Sequence, residues 1–306
     1  MKIREMQDEI IRLKKEKDFC ILAHSYMSPE ILETADICGD SFKLSEEAAK
    51  VKNKNLLLCG VRFMAECAKM LSPDKNVYLS NPEAGCPMAE QIMPEEIVSF
   101  KREHPEYTVV AYVNTTAALK AVSDVCVTSS SAEKVVSLIE NDNILFIPDK
   151  NLGSYIASKL PNKNIKVLDG CCPRHNGVTK SEAVSAKTLH PNALLLAHPE
   201  CRPEVLELAD YIGSTSGIIN FVRNSKHNEF IIGTDNSITE YLQLEYPERR
   251  FYQLSEKLAC RNMRLTTLVD VYNILRTGKG EIIELDPELC EKAKKPIEKM
   301  IELNLK

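Results

Sequence analysis

The sequence predicts an α/β protein of three similar small α/β/α units, each with a four-stranded parallel sheet, related by pseudo-threefold symmetry about a common centre. Three observations predict it. Segments opening at Ile21-Leu22-Ala23-His24, Val109-Val110-Ala111-Tyr112 and Leu195-Leu196-Ala197-His198 recur after 88 and then 86 residues. Within each segment, short apolar runs alternate with helical patterns, which implies parallel strands joined by right-handed crossovers with helices on both faces. Cys86, Cys172 and Cys260 then follow the opening positions by 62, 60 and 62 residues. The register also holds between these landmarks, with Asp36, Asp124 and Asp210 in one column and Ser41, Ser129 and Thr215 in the next.

Taken in order, Met1 to Lys17 carries apolar residues at helical spacing, and Phe19 to Ala23 reads as a buried strand. Ser28-Pro29-Glu30 combines an N-cap, a first-turn proline and an acid, predicting a helix to about Asp36. Ile37-Cys38 is a short strand, Ser45 to Lys52 a helix, Asn55 to Cys59 a strand, Phe63 to Leu71 a helix and Val77 to Leu79 a strand. The second unit begins with a helix from Pro94 to His104 and has strands at 108–113, 125–127, 144–147 and 165–168. Strands at 193–197, 211–212, 230–232 and 251–254 make the third. Two helix patterns close the chain, at 265–275 and 287–303, and the tail is expected to cover the first unit. The divisions are therefore 1–85, completed by 264–306, then 86–171 and 172–263. No Gly/Ser-rich or Pro-rich linker separates them, so direct packing is expected.

The formal charge of −5 comes without a basic stripe, which gives nucleic-acid binding no electrostatic support. No apolar stretch approaches the ~20 residues of a membrane helix, and the charged N-terminus lacks a signal-peptide pattern. The expectation is a cytoplasmic protein with small-molecule ligands, no nucleic acid and no membrane. Eleven cysteines in such a chain point to reduced thiols rather than a disulfide framework. Cys20, Cys38, Cys59, Cys67, Cys126 and Cys290 sit in apolar strands or helical faces and read as small buried hydrophobes.

Cys86, Cys172 and Cys260 differ, because each falls at the same place after the last strand of one of the three repeated segments. Three converging thiolates suit zinc with His175 as fourth ligand, or a [4Fe-4S] cluster with one iron lacking a protein ligand. One ligand per repeated segment, without a C-x2-C pair, favours the larger group. Cys171 is a rival to Cys172, but register and the proline that follows favour Cys172. Ligands in parallel sheets gather beyond the carboxyl ends of the strands, where His24, Tyr112 and His198 fall. Tyr26 and Glu200, two residues beyond His24 and His198, and His175, three beyond Cys172, add groups for proton transfer. Gly39-Asp40-Ser41, Thr128-Ser129-Ser130 and Gly213-Ser214-Thr215-Ser216 each precede a helix, an arrangement suited to phosphate or carboxylate as well as to capping. Asn114 adds an amide donor.

These residues resemble the quinolinate synthase family, iron–sulfur enzymes of NAD biosynthesis. The resemblance runs through His24-Ser25-Tyr26, Gly39-Asp40-Ser41, Gly60-Val61-Arg62-Phe63-Met64-Ala65-Glu66 and Cys86-Pro87-Met88-Ala89. It continues in Tyr112-Val113-Asn114-Thr115, Thr128-Ser129, Pro148-Asp149-Lys150-Asn151-Leu152-Gly153 and Cys172-Pro173-Arg174-His175. His198-Pro199-Glu200-Cys201, Gly213-Ser214-Thr215 and Cys260-Arg261-Asn262-Met263 complete it. It implies three units around a central [4Fe-4S] cluster held by Cys86, Cys172 and Cys260. The implied reaction condenses iminoaspartate with dihydroxyacetone phosphate to quinolinate, releasing phosphate and water, with functional coupling to an iminoaspartate-producing enzyme. His24, Ser41, Tyr112, Asn114, Ser129, His198, Glu200, Ser214 and Thr215 are implied to bind substrate. Glu200 is the implied acid/base, assisted by His24, Tyr26, Tyr112, His175 and His198. Cys201 lies in a family motif but outside the cluster, and Ser25 stands where the family usually has asparagine. Two other three-cysteine cluster enzymes, hydroxymethylbutenyl diphosphate reductase and the diphthamide type, and a non-catalytic zinc scaffold are the alternatives.

Overall fold

A computed structural model describes residues 1–306, apart from the side chain of Phe42. Twelve strands form three groups of four. The first holds β1 (Phe19–His24), β2 (Ile37–Gly39), β3 (Asn55–Cys59) and β4 (Asn76–Leu79). The second holds β5 (Thr108–Tyr112), β6 (Val125–Val127), β7 (Asn143–Ile147) and β8 (Asn164–Val167), and the third β9 (Leu194–Ala197), β10 (Tyr211–Ile212), β11 (Glu229–Gly233) and β12 (Arg250–Gln253). Every group has the same order, with the first strand between the second and third and the fourth beside the third, all parallel. Helices cover both faces, which is why the central strands read as unbroken apolar runs.

The recurring aspartates fasten each unit in the same way. Asp36, Asp124 and Asp210 each accept the backbone N–H of Ile21, Val109 and Leu195 at 2.8 Å. Each also pairs with a lysine of the helix that leads into the first strand of its unit, Lys14 at 2.8 Å, Lys101 at 2.6 Å and Lys187 at 2.9 Å. The column thus pins the first strand to the turn that enters the second. Its role is structural.

Several expectations need correction. The helix begun by Pro29 ends at Leu32, because the Asp36 N–H must reach the Ile21 carbonyl at 2.9 Å and turn the chain into β2. The next helix is Ser41–Lys50, starting earlier than expected because the Asp40 carboxylate caps Lys43 N–H at 3.1 Å. The first sheet has five strands, not four. Its extra member, β13 (Glu281–Ile282), comes from the tail and runs antiparallel to β4, anchored by Glu281 to Arg62 at 2.6 Å. A capping box between Thr267 and Asp270 starts the penultimate helix at Leu268 rather than 265.

The tail also departs from the expected seating. The Leu268–Thr277 helix lies on the Ile3–Glu16 helix of the first unit, but Pro287–Leu305 rests mainly on β6 and the Ala117–Ala121 helix of the second. One apolar core therefore runs through the first two units and the tail, while the third sheet carries separate clusters on its two faces. Among the described residues, no helix is long and apolar enough to cross a membrane.

Candidate active site

Where the carboxyl ends of the three sheets meet there is a cavity of about 90 Å³. Its walls include His24, Tyr112 and His198, the hydroxyl column Ser41, Ser129 and Thr215, and all three cysteines of the repeat. Tyr26, Asn114, His175 and Glu200 complete the expected set that lines it. Ser214 lies just behind, where its hydroxyl caps the Thr215–Asn224 helix by accepting Gly217 N–H at 3.1 Å.

The cysteines share one local geometry. Backbone N–H groups of Met88 and Ala89 point at the sulfur of Cys86, that of His175 at Cys172, and those of Asn262 and Met263 at Cys260. Burial pushes Cys86 up to about 12 and raises Cys172 and Cys260, and Cys86 feels the charge of Cys260 as Cys172 feels that of Cys86. Three cysteines in the walls of one cavity, each met by N–H donors that stabilise thiolate charge, are compatible with an iron–sulfur cofactor. Cys171 is half-buried outside the cavity walls, and its N–H donates to Gln91 Oε1 at 2.8 Å.

Glu200 is the hub of the polar groups. Its Oε1 accepts the Tyr112 hydroxyl at 2.8 Å, and its Oε2 stands 2.8 Å from His175 Nδ1. Burial works against its charge, but His175, His198 and the bonds from His175 and Tyr112 outweigh that and hold its carboxyl down at about 2. Burial opposes protonation of His175, yet Glu200 draws it above its ordinary value. The carboxylate and imidazole thus form a charged pair, with Cys172 Sγ 3.3 Å from the same Nδ1. Ligand atoms of Cys172, His175 and Glu200 lie within 4.8 Å of one another.

His24 and His198 are built alike. Nδ1 of each accepts the N–H two residues on, Tyr26 at 3.2 Å and Glu200 at 3.3 Å. That bond leaves the proton on Nε2. Burial presses both down to about 4, so each is a neutral donor at pH 7.

Three residues of the site carry no signal in the threefold pattern. The buried Thr234 hydroxyl joins Tyr26 at 2.8 Å to His175 Nε2 at 3.3 Å, and Tyr26 in turn bonds Thr215 at 2.9 Å. A continuous line of polar groups therefore runs from Thr215 through Tyr26, Thr234, His175 and Glu200 to Tyr112. Asp149 and Asp235 cap the Lys150–Lys159 and Asn236–Glu245 helices with one oxygen and accept the N–H of Cys172 at 2.8 Å and Cys260 at 2.7 Å with the other. Both cysteine loops are held by these carboxylates. In the first unit the corresponding residue is Val61, and Cys86 N–H reaches Glu90 at 3.4 Å instead.

The family model described as Quinolinate synthetase A protein matches residues 8–302. A quinolinate synthase of Caldicellulosiruptor bescii is 46% identical over 303 residues, covering 99% of this chain and 100% of that protein. Another, of Alkaliphilus metalliredigens, is 48% identical over 298 residues, covering 97% of this chain and 98% of that one. A solved E-1-hydroxy-2-methyl-but-2-enyl-4-diphosphate reductase from Plasmodium falciparum matches at 12% identity over 85% of this chain and 82% of that one. Its TM-score of 0.32 is too low to bear on fold or function.

Proposed function

Because the chain belongs to the quinolinate synthetase A family, we propose that it is a quinolinate synthase that condenses iminoaspartate with dihydroxyacetone phosphate, releasing phosphate and water. The observation that carries this reading is the meeting of one carboxylate, Glu200, with a phenol from the second unit and an imidazole, in a cavity entered by one cysteine from each repeated segment. A [4Fe-4S] cluster held by Cys86, Cys172 and Cys260 would have one iron free of protein ligands and would supply Lewis acidity for loss of a hydroxyl as water.

The chain's own groups account for the remaining requirements. Condensation and ring closure move protons on and off carbon, nitrogen and oxygen, and the Glu200–His175 pair can hold such a proton at the imidazole. Tyr112 and Tyr26 sit at the two ends of that pair as hydroxyl donors, Tyr26 through Thr234. The Nε2–H groups of His24 and His198 are further donors for carboxylate or carbonyl oxygen. Asn114 brings a buried amide oxygen with no protein partner among the described residues, an acceptor free for a substrate donor. Ser41, Ser129 and Thr215 add hydroxyls suited to phosphate or carboxylate.

An anaerobic assay with iminoaspartate and dihydroxyacetone phosphate, read as quinolinate by chromatography beside iron and sulfide content, tests the reading. Quinolinate with about four irons per chain is the expected result. A full cluster without quinolinate would overturn the substrate assignment, and zinc without sulfide would favour the scaffold alternative.

A further inference from the structure

Behind the cavity lies a second and larger space, a cleft of about 750 Å³ between the first and third units. It is bounded by the Pro29–Leu32 and Ser41–Lys50 helices on one side and the Thr215–Asn224 and Asn236–Glu245 helices on the other. Its wall residues interleave with those of the inner cavity. Ser25 faces the cleft while its neighbours His24 and Tyr26 face the cavity; Gly39 adjoins Asp40 and Ser41, and Ser216 adjoins Thr215. The partition is one residue thick. It is closed across the two units by side-chain bonds, from the Ser216 hydroxyl to Asp40 Oδ2 at 2.5 Å and, on the cavity side, from Tyr26 to Thr215 at 2.9 Å and Thr234 at 2.8 Å.

The cleft also carries charge. Lys43 and Arg223 line it from opposite units, and neither forms an ion pair among the described residues. The two acids in its walls differ: Glu33 is engaged by Gln7 at 2.9 Å and Arg4 at 3.5 Å, whereas Glu245 is not paired. Gly39 explains the path of Lys43, since a Cβ there would meet Lys43 Cδ at 2.7 Å and its Cβ at 2.9 Å. The lysine stem is thus laid along the cleft floor beside the partition. At the inner end, the Ser41–Lys50 and Thr215–Asn224 helices begin, adding the positive ends of two dipoles.

We propose that this cleft is the entry port for anionic substrates, in which Lys43 and Arg223 capture phosphate or carboxylate before the Asp40–Ser216 and Tyr26–Thr215 bonds part to open the inner cavity. The proposal rests on the function proposed above, whose substrates carry those groups. A small inner cavity behind a thin, polar and breakable wall needs such an approach. Unpaired cations in a cleft raise the local concentration of anions and the rate of their capture, in a way that salt screens.

The test compares wild type with Lys43→Gln, Arg223→Gln, the double variant and a plug, Asn220→Trp, placed on an exposed cleft residue. Dihydroxyacetone phosphate binding is followed by titration calorimetry at low and high salt, and kcat/KM is measured for both substrates, with iminoaspartate formed from oxaloacetate and ammonium. The double variant is expected to bind dihydroxyacetone phosphate about fivefold more weakly at low salt, with a flattened salt dependence and kcat near wild type. The plug should lower kcat/KM for both substrates by a similar factor. Equal losses for the two substrates in the charge variants would mark a general anion port, and a loss for one alone would assign the cations to its phosphate or its carboxylates. Binding and kcat/KM at wild-type values in the double variant or in the plug would overturn the proposal. Wild-type protein that binds dihydroxyacetone phosphate but makes no quinolinate would instead sink the proposed reaction, and the binding comparison would still decide the port.

Discussion

Nδ1 of His175 stands 2.8 Å from Oε2 of Glu200, while the other oxygen of that carboxylate takes the Tyr112 hydroxyl. Both oxygens are therefore occupied by donors. In Glu200→Gln the amide can accept only through its oxygen, so one donor, Tyr112 or His175, is left facing an NH2 group. The charge that draws His175 to its protonated form also disappears. Turnover is expected to fall about 10²-fold or more with iron and sulfide retained, as for loss of an acid/base group. Steady-state kinetics beside metal analysis checks this, and a near-normal kcat would rule the role out.

The two buried neutral histidines predict acid lability. His24 and His198 are held at about 4, below the ordinary 6.5 of an exposed imidazole. Between those values the unfolded chain binds the protons, so their contribution to stability is complete above pH 6.5 and fades as pH falls toward 4. Each can contribute at most about 3 kcal/mol. His175 works in the opposite window, stabilising most below 6.5 and losing its contribution as pH rises through its elevated value. Glu200 adds a loss only below the ordinary carboxylate range, toward about 2. Thermal melts from pH 7 to pH 4.5 should show a falling midpoint that His24→Gln or His198→Gln makes shallower. A flat midpoint across that range would contradict the neutral assignment.

Replacing any one of Cys86, Cys172 and Cys260 by alanine should abolish the cluster, because the other two units supply no spare thiol in the cavity walls. Iron and sulfide are expected to drop from about four per chain to traces, with loss of the visible charge-transfer absorption. Cys171→Ala should leave both intact. A retained cluster in any of the three alanine variants would move the ligand assignment elsewhere.

The site was legible in the sequence where it repeats. His24, Tyr112 and His198 close the first strand of every unit, so register alone brought them to one end, and the cysteines follow from the same column. Tyr26, Asn114, His175 and Glu200 occur once each and are found by their nearness to the repeated positions and by the family resemblance, whereas three other residues give no such signal. Asp149 and Asp235 stand 37 residues after Tyr112 and His198, but Val61 fills that column in the first unit, so no triple appears. Thr234 has Gly60 and Pro148 as its counterparts, and a single hydroxyl carries no periodic signal. The strand Glu281–Ile282 is too short to show alternation, and its place depends on Arg62 far away in sequence. The last helix shows which of its faces is buried but not which unit receives it. That choice is made by the apolar surface of β6 and the Ala117–Ala121 helix.

Lys120 shows how the second unit fixes its cavity-facing loop. Its amine is fully buried and donates to the carbonyl of Val113 at 2.7 Å, to that of Thr115, and to the Thr115 hydroxyl at 3.2 Å. These groups flank Asn114, and Thr115 also bonds back to the Tyr112 carbonyl at 3.1 Å. Glu66 supplies the balancing charge and caps the helix that carries Lys120 by accepting Ala117 N–H at 2.9 Å. The ring of Phe63 covers the amine from 5.6 Å. Lys120→Met keeps the stem but leaves the Thr115 carbonyl without its donor, while the Val113 carbonyl still accepts Thr115 N–H at 2.8 Å, and the unpaired buried group costs about 1–3 kcal/mol. The variant should therefore unfold at lower denaturant and, because Asn114 loses its fixed backbone, show a rise in KM larger than its fall in kcat. Lys120→Arg, which keeps a donor, should recover part of the KM change. Unchanged stability and KM in Lys120→Met would mean that the loop is held by packing alone.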